Sequence, residues 1–293
     1  MADVLKKQPE MSAPAEEYAA NALSDSLIRI SSDPDSSGRM SRDVQRQANT
    51  ELDISYGPHG DQALDVYLPD APGRGPLPVL LFIHGGAWSH GYKEWMGFMA
   101  PAITRLPAIF VSVGYRLAPE TRFPGPVEDC RNAVKWVYEN ISQRGGDPDR
   151  IFVGGHSAGG HLAALITLQR GKWGDFGLPE TVIKGCFPVS GSYDLRLRDR
   201  EFKLLNSSDE IEAASPVTYI SGNTVPFYVA YGDNDFEDLQ RQAPLFARSL
   251  EREGCLVELE EYEGSDQFKM SLDNGDVNGR WATTVRRWMH ELR

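Results

Sequence analysis

Ile151-Phe-Val-Gly-Gly-His-Ser-Ala-Gly-Gly160 is the stretch on which the fold turns. Ile151–Gly154 reads as a short strand, and His161-Leu-Ala-Ala-Leu-Ile-Thr-Leu-Gln-Arg170 as the helix that follows it. Between them lies Gly155-His156-Ser157-Ala158-Gly159, a G-x-S-x-G pattern. Such a pattern sets the serine on a tight strand-to-helix turn, where small neighbours are needed because backbone and helix come into close contact. The helix N-terminus then offers N–H donors and a positive dipole to a developing oxyanion. A glycine-rich turn with a chance serine is the plainer alternative; the flanking strand and helix favour a nucleophile, Ser157.

Outward from this point, continuous apolar runs alternate with helical patterns. Strands are expected at Val79–Ile83, Ile109–Gly114, Ile151–Gly154, Gly185–Val189 and Phe227–Tyr231. Unbroken apolar runs are what strands buried on both faces look like in a parallel sheet. Helices are expected at Val127–Ser142, Ala158–Leu168 and Gln240–Glu251. Earlier, Glu51–Tyr56 and Ala63–Leu68 alternate apolar and polar residues around the turn signal GPHGDQ, which predicts an antiparallel pair at a sheet edge. The fold class expected is therefore α/β, with a mostly parallel, doubly wound sheet and an antiparallel N-terminal edge. Residues 1–50 are polar and Ser/Asp/Arg-rich and read as an arm, partly helical or disordered. A short amphipathic helix is expected at Ala13–Leu23 and surface loop elsewhere, with 51–293 as a single domain.

Composition narrows the function. The 293 residues are 41% hydrophobic, enough for a large core. Thirty Lys and Arg against 42 Asp and Glu give a net charge of −12, which argues against nucleic acid or an anionic membrane as the main partner. No run reaches the roughly 18–20 apolar residues of a membrane span, and the N-terminus lacks a signal-like apolar segment. Cys130, Cys186 and Cys255 are widely spaced, which fits free thiols in a reducing cytoplasm better than a zinc or disulfide site.

A second chemical signal is His84-Gly85-Gly86-Ala87-Trp88, directly after the apolar PVLLFI strand. Adjacent glycines let backbone N–H groups face a site unobstructed, so Gly85 and Gly86, with Ala158 after the nucleophile, form the expected oxyanion hole. His84 reads as a brace for this loop. Trp88 is a candidate pocket wall, with ordinary core packing as the alternative. The carboxylate should follow a later strand, and PFYVAYGDND ends in Asp235, with Asp233 as second choice; either can also serve as a turn former or cap.

Taken together, HGGAW, GYRLAPETRFPGPVEDC, GDPDRIFVGGHSAGGHLAAL, VSGSYDL, EAASPV and YGDNDF resemble the kynurenine formamidase branch of the α/β-hydrolases, near the hormone-sensitive-lipase-like esterases. The similarity runs from about residue 50 onward. It implies the α/β-hydrolase fold and a serine hydrolase of arylformamidase or carboxylesterase type, cleaving a small, aromatic or lipophilic amide or ester through an acyl-enzyme. It implies no metal or organic cofactor, and a homodimer is compatible with it. Tyr92, Tyr193 and Phe268 join Trp88 as weaker substrate-contact candidates, Tyr193 being equally a core aromatic.

The resemblance also implies a catalytic histidine in a loop after the last strand, in a pattern like G-x-D-H-F. This sequence has Glu263-Gly-Ser-Asp-Gln-Phe268, so Gln267 stands at that position. A glutamine amide has no useful basicity near neutral pH, so it is not expected to take the proton from Ser157 Oγ or return one to the leaving group. His156 and His161 flank the elbow but are not expected to substitute, and His59, His90 and His290 have no case. One reading is an engineered His-to-Gln trap in an otherwise active hydrolase. The other is a natural non-hydrolytic α/β-hydrolase-fold protein, acting as a ligand-binding protein or as a cyclase or lyase. Retention of Ser157, Asp235 and both oxyanion elements favours the first.

Overall fold

In the computed structural model, which describes residues 36–71, 75–105, 107–198 and 203–292, the expected alternation of strands and helices builds one eight-stranded sheet. Its strands are β1 (Asn49–Ser55), β2 (Ala63–Leu68), β3 (Leu77–Ile83), β4 (Ile109–Val113), β5 (Gly146–His156), β6 (Ile183–Val189), β7 (Phe227–Gly232) and β8 (Val257–Tyr262). They lie in the order β1-β2-β4-β3-β5-β6-β7-β8. β2 is antiparallel to both its neighbours, and β3 to β8 run parallel. The α/β-hydrolase fold with an antiparallel N-terminal edge is thus the observed fold.

The side-chain period of two explains why the central strands are apolar throughout. Val79, Leu81, Ile83, Val111, Ile151, Val153 and Val229 enter one core layer, whereas Leu80, Phe82, Phe110, Phe152, Phe187 and Tyr228 enter the opposite one. Helices α3 (Gly125–Asn140), α4 (Ala158–Leu168) and α5 (Glu237–Arg252) cover the first face. The second is covered by α2 (Ala100–Thr104) and α7 (Arg280–Glu291), the latter through Trp281, Val285, Trp288 and Met289.

Two N-terminal expectations change. The segment read as surface loop contains helix α1 (Ser36–Gln47), which is polar but bonded to the body. Its Ser41 Oγ accepts from Phe98 N at 2.8 Å, its Gln45 amide donates to the Tyr67 hydroxyl at 3.1 Å, and Val44 packs on the second core layer. Hydrogen bonds rather than an apolar stripe hold it, so apolar periodicity could not signal it. The helix expected at Ala13–Leu23 lies outside the described residues. Among the described residues no helix is long and apolar enough to cross a membrane. Cys130, Cys186 and Cys255 are free and buried.

Candidate active site

β5 ends at His156 and α4 begins at Ala158, leaving Ser157 alone on the turn with φ 55° and ψ −117°. A non-glycine residue in that region is strained by on the order of 1–3 kcal/mol and persists only where its surroundings impose it. Here Ser157 N donates to Val189 O at 2.9 Å, and its carbonyl accepts from His161 N at 3.0 Å. Close approach imposes the rest. A Cβ on Gly159 would lie 2.0 Å from Ile83 O, so the first turn of α4 rests directly on the end of β3.

That contact also brings the His84–Trp88 loop to the elbow. A Cβ on Gly85 would lie 3.1 Å from Ser157 Cβ. The loop is wound left-handed at three successive residues, with φ of 119° at Gly86, 51° at Ala87 and 59° at Trp88. At Gly86 a side chain has no room, since a Cβ would sit 2.1 Å from His90 O. His84 holds the loop from beneath: its Nδ1 donates to Gly85 O at 2.7 Å and its ring stacks on Tyr115 at 4.4 Å. In a trans peptide the C=O and N–H point opposite ways, so pinning the Gly85 carbonyl aims the Gly86 N–H. Burial pushes the His84 imidazole down to about 4, which keeps it a neutral brace. Among the described residues, the N–H groups of Gly85, Gly86 and Ala158 donate to no backbone carbonyl.

The loops after β7 and β8 are tied together before any catalytic role is considered. Asp233 N donates to Tyr262 O at 3.1 Å, Asn234 N to Ser265 O at 3.0 Å, and Asp233 Oδ1 accepts from Ser265 N at 3.2 Å. Asp233 is thereby a loop tie, which separates it from Asp235. Asp235 is buried and faces Gln267. With the amide oriented so that oxygen meets hydroxyl and nitrogen meets carboxylate, Ser157 Oγ donates to Gln267 Oε1 at 2.7 Å. Gln267 Nε2 then donates to Asp235 at 2.5 Å (Oδ1) and 3.1 Å (Oδ2). The opposite orientation would set two acceptors face to face, and the hydrogen-bond network decides such assignments.

Gln267 is not in a loop but at the first position of a short helix, α6 (Gln267–Asp273). Asp266 caps it, accepting from Phe268 N at 3.0 Å and Lys269 N at 2.8 Å. A further anchor was not signalled by the sequence: His156 Nε2 donates to the Gln267 carbonyl at 2.8 Å. Burial raises the Asp235 carboxyl to about 7, with the Ser190 hydroxyl and the Phe236 N–H opposing and Asp238 and Asp266 adding to the rise; the two bonds from Gln267 Nε2 draw it back down. No cation stands against it in the Ser157–Gln267 line, because an amide carries no charge. Ser190 itself, in the VSGSYDL segment, has φ 51° and follows β6. A small residue after a buried strand was its only sequence signal.

The other candidates fall into two groups. Trp88 and Tyr193 are fully buried, as their core-packing alternative required. Trp88 Nε1 donates to His161 Nδ1 at 3.1 Å, and Tyr193 stacks on Phe246 at 4.1 Å. Tyr92 and Phe268 are half-buried, and Tyr92 packs against Trp95 with ring centroids 5.1 Å apart. His161 has both nitrogens engaged, the second on Ala214 O at 2.7 Å, and burial pushes it and His156 down to about 4. Neither is poised to replace a catalytic base. His59 sits in an exposed turn beside Asp61, His90 contacts Ser89 Oγ, and His290 is exposed. Among the described residues no group of three His, Cys, Asp or Glu side chains is arranged to hold a metal ion.

A family model described as the α/β hydrolase fold matches residues 80–211. Kynurenine formamidase from Salmo salar is 32% identical over 245 residues, covering 79% of this chain and 80% of that protein. Esterase LipQ from Mycobacterium tuberculosis is also 32% identical, over 72% of this chain, and this chain spans about half that relative's length (55%). Among solved structures, a bacterial heroin esterase aligns with a TM-score of 0.68 at 28% identity, over 83% of this chain and 84% of that one. Esterase B from Lactobacillus rhamnosis aligns at 0.70 over 95% and 94%; its 17% identity speaks for the fold alone.

Proposed function

For a chain that belongs to the α/β-hydrolase family, with formamidase and esterase relatives, we infer a serine-hydrolase site in which Gln267 stands where the general base would act. The bond cleaved is an ester or amide of a small, aromatic or lipophilic acyl compound. The observation that carries this reading is the unbroken line Ser157–Gln267–Asp235, at 2.7 Å and 2.5 Å. A neutral imidazole would accept from the serine and donate to the aspartate; the amide reproduces that hydrogen-bond pattern but not its basicity.

With histidine at 267, Ser157 Oγ would attack the carbonyl while the imidazole takes its proton, oriented by Asp235. The N–H groups of Gly85, Gly86 and Ala158 would hold the oxyanion, and the protonated base would then release the leaving group. Tyr92 and Phe268 are the half-buried aromatics proposed to flank the substrate. With Gln267 the same site binds and orients substrate while proton transfer is impaired, which suits an introduced His-to-Gln trap.

The test restores Gln267→His and follows hydrolysis of p-nitrophenyl acetate and N-formylkynurenine. Loss of the base in a serine triad typically removes several orders of magnitude of rate, so a gain of at least about a hundredfold is expected. No gain on any acyl substrate, together with tight small-molecule binding by the present chain, would leave the ligand-binding reading standing instead.

A further inference from the structure

We propose that the Gln267 amide relays the Ser157 proton to Asp235 by switching between its amide and imidic-acid forms, so that the chain retains a slow acyl-transfer cycle without a histidine. This rests on the serine-hydrolase reading above and adds a proton path to it.

Three observations support the relay. The path is continuous: Ser157 Oγ to Gln267 Oε1 is 2.7 Å and Gln267 Nε2 to Asp235 Oδ1 is 2.5 Å, so protons shift along it with no movement of heavy atoms. The terminus is a carboxylate more basic than usual: burial raises Asp235, and the two bonds from Gln267 Nε2 oppose part of that rise. Around it, Asp238 from α5 and Asp266 before α6 raise its basicity, and Arg198 lies 3.7 Å from Asp238. The Ser190 hydroxyl after β6 and the Phe236 N–H lower it, and the Tyr193 ring lies nearby. Finally, the relay is held still and dry. Gln267 is only 2% exposed, its carbonyl is bound by His156, and Asp266 caps its helix.

The step balances without any added reagent. As Ser157 Oγ bonds to the substrate carbonyl carbon, its proton passes to Gln267 Oε1 and the Nε2 proton passes to Asp235 Oδ1. Gln267 becomes a neutral imidic acid and Asp235 a neutral carboxylic acid. The carbonyl π pair moves onto the oxyanion. On collapse the C=O re-forms and the scissile bond breaks with its pair on the leaving group. The leaving group takes the proton from Gln267 Oε1, and Asp235 returns its own to Nε2. Water then deacylates Ser157 by the same route. Loss of amide resonance during the relay makes it slower than an imidazole.

The test measures p-nitrophenyl acetate turnover by the full chain and by S157A, Q267M, D235N and Q267H, across pH 5 to 9 in H2O and D2O. Expected are a parent rate above S157A, rising with pH to a plateau as Asp235 ionises, and slowed by D2O. Q267M, which keeps bulk but lacks the amide, and D235N should each fall at least about tenfold toward S157A. A Q267M rate equal to the parent's, or a parent rate that climbs with hydroxide without a plateau, overturns the relay. If Q267M does not fold, the parent's pH profile and D2O effect decide alone. An inactive Q267H sinks the hydrolase reading itself, whereas an active Q267H with an unchanged Q267M sinks only the relay.

Discussion

The two halves of the candidate site are built from different materials. On the β3–β5 side, the proposed oxyanion donors at Gly85, Gly86 and Ala158 are backbone groups, fixed by left-handed turns and by glycines packed so closely that a Cβ on Gly159 would lie 2.0 Å from Ile83 O. On the β7–β8 side, the proposed chemistry depends on two side chains, Asp235 and Gln267, that follow strands whose outgoing loops are tied by their own backbone bonds. Changing the first half requires breaking the fold. Changing the second requires one codon. The difference teaches why a substitution at position 267 can alter the proposed proton path and leave the rest of the site in place.

This contrast can be tested from its strongest consequence downward. Gln267→His should raise acyl hydrolysis by two or more orders of magnitude while leaving the melting temperature nearly unchanged, read by steady-state assay and calorimetry. A large change in melting temperature would show that position 267 is structural after all. Gly159→Ala should behave oppositely: a Cβ placed 2.0 Å from Ile83 O forces β3 and α4 apart. It should cost more than about 4 kcal/mol in denaturant unfolding or prevent folding.

A third prediction concerns pH. Asp235 is raised from 3.8 to about 7 in the folded state, so its protonated form is favoured there. Its contribution to stability is fully present below about pH 4 and is lost as pH climbs through 7. Asp235→Asn removes that titration. The variant's stability relative to the parent should therefore improve by about 2–4 kcal/mol between pH 4 and 8. In a Gln267→His background the improvement should shrink, because an imidazolium can pair with the carboxylate. An unchanged difference across pH would place Asp235 in a more solvated setting. The smallest effect belongs to Trp88→Phe, which loses the 3.1 Å bond to His161 Nδ1 and leaves that nitrogen buried. About 1–2 kcal/mol of stability should go, with little change in the substrate KM of the Gln267→His protein. A large KM change would return Trp88 to the substrate wall.

Sequence carried the backbone-built half almost completely, since strand, glycine pattern and helix are adjacent in the chain around Ser157 and again around Gly85. Asp235 and Gln267 were also legible, but only as positions; that the amide bridges serine and carboxylate needed three dimensions. What stayed hidden has physical reasons. β5 starts at Gly146 rather than Ile151 because Gly146 pairs with Leu77, a contact that the turn-like Gly-Asp-Pro-Asp-Arg does not advertise. Trp88 and Tyr193 look alike as pocket or core residues until their partners, His161 and Phe246, are known. Helix α1 has no apolar stripe to read, because Ser41 and Gln45 attach it by hydrogen bonds.

The bond from His156 to the main-chain carbonyl of Gln267 works whatever side chain position 267 carries. It fastens position 267 to the residue preceding the nucleophile without using the 267 side chain. Residues of similar size can therefore be exchanged there as a cartridge in a fixed socket. An exchange of side chain at position 267 therefore leaves the first turn of α6 anchored to the residue before Ser157.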